Sequence, residues 1–368
     1  MFLNSFIANS KYLNIKLCIL LVICGQLLFG QDQNLKTYFN IHLGTNINDS
    51  RVQHIINSPI QGFELGITKE TFGNNEWEQV YHYPEYGLSL FYTTLGNNKI
   101  FGHEISLVPF FKLNLFSWNK LSCLMRIGLG LSYLNTTYNP ITNPKNPATS
   151  SHFNFHTNLR GVFTYKLNNR LELNNGVSFD HTSNGNLNKP NLGLNNLTVY
   201  TGLSYLLNEK IEKKTLAIPL FIPSNKFLVF LNFGGKKNNY SNSYYLTTSL
   251  SMELRRTFSR VISLGIGGDF FIDNSIQSSF MYLNKEYHKS DSFQTGIFIS
   301  QSMTYNNVTV TFQEGAYIIL REKVNQNNFY TKAIIQYNFY KKFSTRLALK
   351  SHQFNVLDYP EIGLGYEF

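Results

Sequence analysis

The chain reads as an all-β protein, an antiparallel transmembrane β-barrel of about 12–16 strands. Three observations carry that reading. Segments of about ten residues alternate apolar and polar side chains along most of the chain, the two-residue period of a strand with two unlike faces. Apolar stripes at helical spacing are almost absent, and no interior run reaches the roughly 18 apolar residues of a membrane helix. The last eight residues, Glu361-Ile362-Gly363-Leu364-Gly365-Tyr366-Glu367-Phe368, alternate to the terminal Phe.

From the N-terminus, Lys11 and Lys16 precede an apolar run, Leu17-Cys18-Ile19-Leu20-Leu21-Val22-Ile23-Cys24, that continues to Leu27-Leu28-Phe29-Gly30. A basic segment followed by an apolar one predicts a signal peptide over residues 1–30. Leu21-Val22-Ile23-Cys24 is a poor lipid-attachment motif, because it lacks a small residue before the cysteine. Strands are predicted over 37–44, 60–68, 85–95, 101–115, 121–134, 152–166, 170–182 and 196–206. Eight more follow over 226–234, 243–257, 261–273, 292–304, 306–319, 328–339, 342–353 and 360–368. The alternation is clear in Cys123, Met125, Ile127, Leu129, Leu131 and Tyr133 against Ser122, Arg126, Gly128, Gly130 and Ser132. Between the halves, 207–225 carries Lys210, Lys213, Lys214, Pro219 and Pro223. Proline is confined to sheet edges and loops, so this segment is a linker or a long turn. A first barrel half over 31–206 and further strands over 226–368 follow. A soluble sandwich alternates in the same way. The final strand favours the membrane, because its terminal Phe resembles the assembly signal of outer-membrane barrels.

The formal net charge is +10, with no stripe of Lys/Arg interleaved with stacking aromatics, so nucleic acid is not an expected partner. Removal of residues 1–30 leaves Cys123 alone, which excludes an intrachain disulfide and a cysteine metal site. His152 and His156 share a strand face with Asn154, as lumen or rim histidines would, with no third metal ligand. No cofactor and no metal are expected.

The chemistry-bearing stretch is Phe179-Asp180-His181-Thr182-Ser183-Asn184-Gly185. Residues two apart on a strand point to one face, so His181 and Ser183 lie together, on the row of Leu171, Leu173, Val177 and Phe179. Asp180 and Glu172 fall on the opposite row. With the N-terminus in the periplasm, the seventh strand runs outward. The pair then sits at the outer rim on the lipid-facing row. The short Asn168-Asn169-Arg170 turn before it and the long 183–195 stretch after it agree with that direction.

The segment continues Lys189-Pro190-Asn191-Leu192-Gly193-Leu194-Asn195. Together, His-x-Ser-Asn and Pro-Asn-x-Gly resemble the lipid A 3-O-deacylase (PagL-like) and acyloxyacyl hydrolase family of outer-membrane β-barrels. The resemblance is most specific over 176–206, covers 37–206 loosely as eight strands, and does not extend to 207–368. It implies His181 as general base, Ser183 as nucleophile, and Asn184 with backbone N–H groups near Gly185 as the oxyanion site. The family's glutamate aligns with Asn195, which orients the imidazole without supplying a charge. The implied activity is a carboxylic-ester hydrolase of the outer membrane, removing a fatty acyl chain from lipid A, with Lys189 near the substrate's phosphates. The alternative is a non-catalytic barrel, either a porin-like channel or a relative that lost activity with its glutamate. A homodimer is left open.

Overall fold

The structure, a computed structural model, describes residues 34–208, 212–237, 243–320, 328–352 and 356–368. The signal peptide expected over 1–30 lies outside the described residues. Among the described residues there are sixteen antiparallel strands. The first eight are β1 (Leu35–Asn46), β2 (Ile60–Glu70), β3 (Glu85–Thr94), β4 (His103–Trp118), β5 (Leu121–Leu134), β6 (Phe153–Lys166), β7 (Leu171–Ser183) and β8 (Leu194–Leu206). The second eight are β9 (Asn225–Lys237), β10 (Tyr244–Thr257), β11 (Ile262–Asp273), β12 (Phe293–Tyr305), β13 (Val308–Ile319), β14 (Phe329–Tyr340), β15 (Phe343–His352) and β16 (Val356–Glu367). Among the described residues three short α-helices sit in connections, α1 (Ser50–Gln53), α2 (Glu76–Val80) and α3 (Ile276–Tyr282), with one 3-10 turn over Lys289–Ser292.

The strand count stands at the upper end of the expected range, but the closure differs from a single wide ring. The strands form two closed barrels, β1–β8 and β9–β16. β8 pairs back onto β1 from Lys36↔Leu206 to Asn46↔Asn196, which occupies both edges of the first ring and leaves β9 nowhere to add. β9 instead pairs with β16, as in Gly234↔Glu361. The two prolines of 207–224 cannot donate to a ladder, which suits that segment to pass from one ring to the other.

An eight-stranded ring leaves an interior just wide enough to be filled by side chains. The inward rows supply polar ones. In the first barrel Glu64 bridges Arg126 at 2.9 Å and Arg160 at 2.7 Å. His156 lies 2.8 Å from Glu104 and 3.2 Å from Asp180. In the second, Asp269 accepts from Gln313 at 2.6 Å, Tyr330 at 2.8 Å and Lys332 at 3.2 Å. All of these side chains are buried. A void of about 10 Å³ between Tyr38, Arg126 and Tyr200 holds about one water. Among the described residues the interior of the first ring is filled in this way, which weighs against a porin-like channel through it. The outward rows are apolar, as in Phe39, Ile41 and Leu43 of β1 or Leu264, Ile266 and Phe270 of β11, all exposed.

The connections sort into two ends. β1–β2, β3–β4, β5–β6 and β7–β8 are joined at one end by long loops, and β4–β5 and β6–β7 at the other by short turns. The β2–β3 connection, which carries α2, is the long exception at the short-turn end. The two barrels stand side by side and point the same way. At the short-turn end, Tyr81 and Tyr305 rings lie 4.3 Å apart and Arg260 pairs with Glu76 at 3.2 Å. At the long-loop end, Tyr244 bonds Asn188 and Asn186 bonds Leu357.

Candidate active site

Across the β7–β8 ladder, His181 sits directly opposite Asn195. Opposed residues of an antiparallel pair point to the same side of the sheet, so imidazole and amide meet on the outward row. Asn195 Oδ1 lies 2.6 Å from His181 Nδ1, and Ser183 Oγ lies 3.0 Å from His181 Nε2. An amide oxygen only accepts, so Nδ1 carries the ring proton and donates it. Nε2 is then left with its lone pair facing the serine hydroxyl. The three side chains that spacing and parity grouped are thus brought together, at the long-loop end of β7 and β8. Ser183 is buried under the loop that follows it. Asp180 and Glu172 point inward, as their parity required. Asp180 joins the His156 network, and Glu172 binds Lys36 at 2.6 Å at the opposite end of the barrel.

The surroundings hold this geometry from both sides. The Asn195 backbone N–H donates to Asn48 Oδ1 at 2.6 Å, and its carbonyl accepts from Ile47 N–H at 2.9 Å. Gly193 has φ +73°, and a Cβ there would lie 2.8 Å from His181 Cε1. Only glycine lets the loop lie against the imidazole. Leu192 and Gly193 donate to Pro147 and Ala148 carbonyls at 3.1 and 2.9 Å. Beneath them Val52, Leu95, Phe101, Leu134, Ala148 and Leu194 form an apolar cluster. It gathers all four outer connections of the first barrel into one small core. Of this support only Gly193 stood out in the sequence; Asn48 did not, lying 147 positions from its partner.

Asn184 is more committed than its expected role implied. Its backbone N–H donates to Asn191 Oδ1 at 3.0 Å, and its side-chain amide donates to the Asn188 carbonyl at 3.0 Å. One amide hydrogen of Asn184 remains. The Gly185 N–H has no acceptor among the described residues. Gly185 has φ +69° and packs against Phe155. Lys189, exposed in the same loop, is held below the usual lysine pKa by partial desolvation first and then by Lys236 and Lys237. Among the described residues no cluster of three His, Cys, Asp or Glu side chains could hold a metal. A cavity of about 810 Å³, lined by residues such as Met252, Ile266 and Ile297, belongs to the second barrel alone.

Residues 61–204 match the family described as lipid A 3-O-deacylase (PagL), and residues 225–368 match the acyloxyacyl hydrolase C-terminal domain. Among solved structures, the outer membrane enzyme PagL is similar at 16% identity, over 45% of this chain and 97% of that one, with a TM-score of 0.33. Neisserial surface protein A is similar at 9% identity, over 47% and 97%, with a TM-score of 0.32. Scores of this size carry no argument beyond the barrels already described. Comparison with curated proteins gives no match. Both barrels are accounted for by the two family matches, one apiece, and the chain belongs to the lipid A 3-O-deacylase (PagL)-like, acyloxyacyl hydrolase family of outer-membrane β-barrels.

Proposed function

We propose that this protein is a carboxylic-ester hydrolase of the outer membrane that removes a fatty acyl chain from lipid A. The observation that carries the reading is the hydrogen-bonded chain Asn195–His181–Ser183 on the outward apolar face at the long-loop rim. A nucleophile there meets a substrate whose acyl chains already lie in the outer leaflet. The family match supports lipid A as the substrate class.

The chemistry follows from the proton positions. Ser183 Oγ bonds to the ester carbonyl carbon while its proton passes to His181 Nε2. The developing oxyanion accepts from the Gly185 N–H and the remaining amide hydrogen of Asn184. His181 returns its proton to the departing alkoxide, leaving an acyl group on Ser183. Water then gives a proton to His181 and bonds to the acyl carbon; the carbon–Oγ bond breaks, His181 returns the proton to Ser183 Oγ, and the fatty acid leaves. Asn195 keeps the imidazole in its Nδ1–H form throughout, and it stabilises the imidazolium by a neutral dipole rather than a charge. A relative that lost activity with its glutamate is the second reading, favoured by the amide at position 195.

Mass spectrometry of lipid A from cells producing the protein decides between them. Loss of one acyl chain, absent when Ser183→Ala replaces the protein, supports the hydrolase. A lipid A profile identical with and without the protein overturns it.

A further inference from the structure

We infer that the second barrel is a positioning element for the loop that follows the nucleophile, with Asn186 and Tyr244 as the residues that transmit the restraint; this rests on Ser183 being the nucleophile. Four contacts reach from the long-loop ends of β10 and β16 onto residues 185–188. Tyr244 Oη donates to Asn188 Oδ1 at 2.8 Å. Asn186 Nδ2 donates to the Leu357 carbonyl at 2.9 Å and to the Asp358 carbonyl at 3.4 Å. The Leu357 side chain lies 3.9 Å from where a Cβ on Gly185 would sit.

These contacts fall on the part of the loop that the first barrel leaves nearly unsupported. The later part, Leu192 and Gly193, is anchored to the β5–β6 connection. The earlier part bonds mainly to itself, with Phe155 the first barrel's packing contact to Gly185. Asn188 is the junction: its side chain takes the bond from the second barrel, and its carbonyl takes the bond from the Asn184 amide. Asn184 is the residue after Ser183. The restraint from Tyr244 thus reaches the nucleophile through two hydrogen bonds and one peptide link. Asn186 adopts φ +63° and follows Gly185 at φ +69°. A left-handed backbone is less favourable for asparagine than for glycine, and here the asparagine side chain is bonded across the barrel junction. The Lys237 ammonium sits 5.7 Å from the Tyr244 ring centre, which steadies the ring that carries the donor. At the opposite end, Tyr81 on Tyr305 and Arg260 on Glu76 keep the two barrels from rocking apart.

A positioning role makes a specific kinetic prediction. Loosening the loop misplaces Ser183 and the Gly185 N–H at the transition state, and leaves the bilayer-held substrate's binding alone. The test uses the full-length chain in detergent micelles containing lipid A, with wild type, Ser183→Ala, Asn186→Ala, Tyr244→Phe and the double variant. Folding is read from the heat-dependent gel mobility of the intact barrels. The expected result is a kcat reduced about tenfold in each single variant, one lost hydrogen bond's worth. KM stays within about twofold, and the double variant is much less impaired than the product of the two. Should Asn186→Ala fail to fold, Leu357→Ala removes only the packing on Gly185 and is expected to lower kcat in the same way. Unchanged kcat in the folded variants, with wild type active and Ser183→Ala inactive, overturns the inference and leaves the hydrolase reading standing. A change confined to KM overturns it too, by making the junction a substrate-binding surface. An inactive wild type removes the hydrolase reading, and this inference with it.

Discussion

Gly193→Ala is the sharpest test of the proposed site. The added methyl would sit 2.8 Å from His181 Cε1, 3.3 Å from the Thr182 carbonyl oxygen and 3.4 Å from Ser183 Cβ. Ordinary carbon–carbon contact is about 3.5–4.0 Å, so roughly 0.7–1.2 Å of clearance must be found. The backbone of position 193 cannot readily supply it, since its N–H is bonded to Ala148 and the next residue, Leu194, is buried in the apolar cluster. The imidazole is the side that yields. Moved by that amount, its Nε2 goes from 3.0 Å to beyond hydrogen-bond reach of Ser183 Oγ. A misplacement of about 1 Å costs on the order of 100-fold in rate. The left-handed φ of position 193 adds about 1–2 kcal/mol of lost stability for any residue with a Cβ. The expected outcome is therefore kcat down about 100-fold with folded gel mobility retained and the urea midpoint lowered. Lipid A deacylation by the purified variant within about twofold of wild type would refute the claim that the ring's place against this glycine sets the rate.

Other substitutions probe separate links. Asn195→Glu is expected to retain or raise kcat in the same assay, because a carboxylate bond to an imidazolium is roughly twice as strong as a neutral one. Asn195→Leu removes the acceptor that sets the tautomer and is expected to cost at least 100-fold in kcat. Asn48→Ala frees the Asn195 backbone N–H from its partner and is expected to lower kcat several-fold, one hydrogen bond's worth. Glu64→Ala leaves Arg126 and Arg160 buried without their shared carboxylate. Urea unfolding in lipid vesicles should show a loss of about 3–5 kcal/mol, and an unchanged midpoint would contradict the interior ion-pair network.

Much of the site was written in strand parity. The two-residue period alone put His181 and Ser183 on one face and sent Asp180 and Glu172 to the other. It also gave Asn195 the same facing as His181 across the turn. What parity cannot encode is which strand closes a ring. An alternating outward row reads the same in one barrel of sixteen strands as in two of eight, because closure is decided by pairing between residues such as Leu43 and Val199 that are far apart in the chain. Pro219 and Pro223 marked the break without saying that a second ring lay beyond it. Asn48, Asn188 and the outer apolar cluster escaped for a related reason. They act through tertiary contacts, and single asparagines in loops carry no periodic signal. Asn184 shows what position alone leaves out: beside Ser183 it points to the oxyanion, and in the structure its backbone N–H and one amide hydrogen also tie the loop together.

The ion-paired filling of the first barrel bears on what the cell can tolerate. Arg126, Arg160 and Glu64 fill the interior of this ring, which leaves little room there for an ion or a solute. Abundance of such a protein is then not limited by leakage across that ring. On the proposed activity, a fatty acid released at the rim would meet a ring interior filled by these side chains and would enter the surrounding leaflet instead.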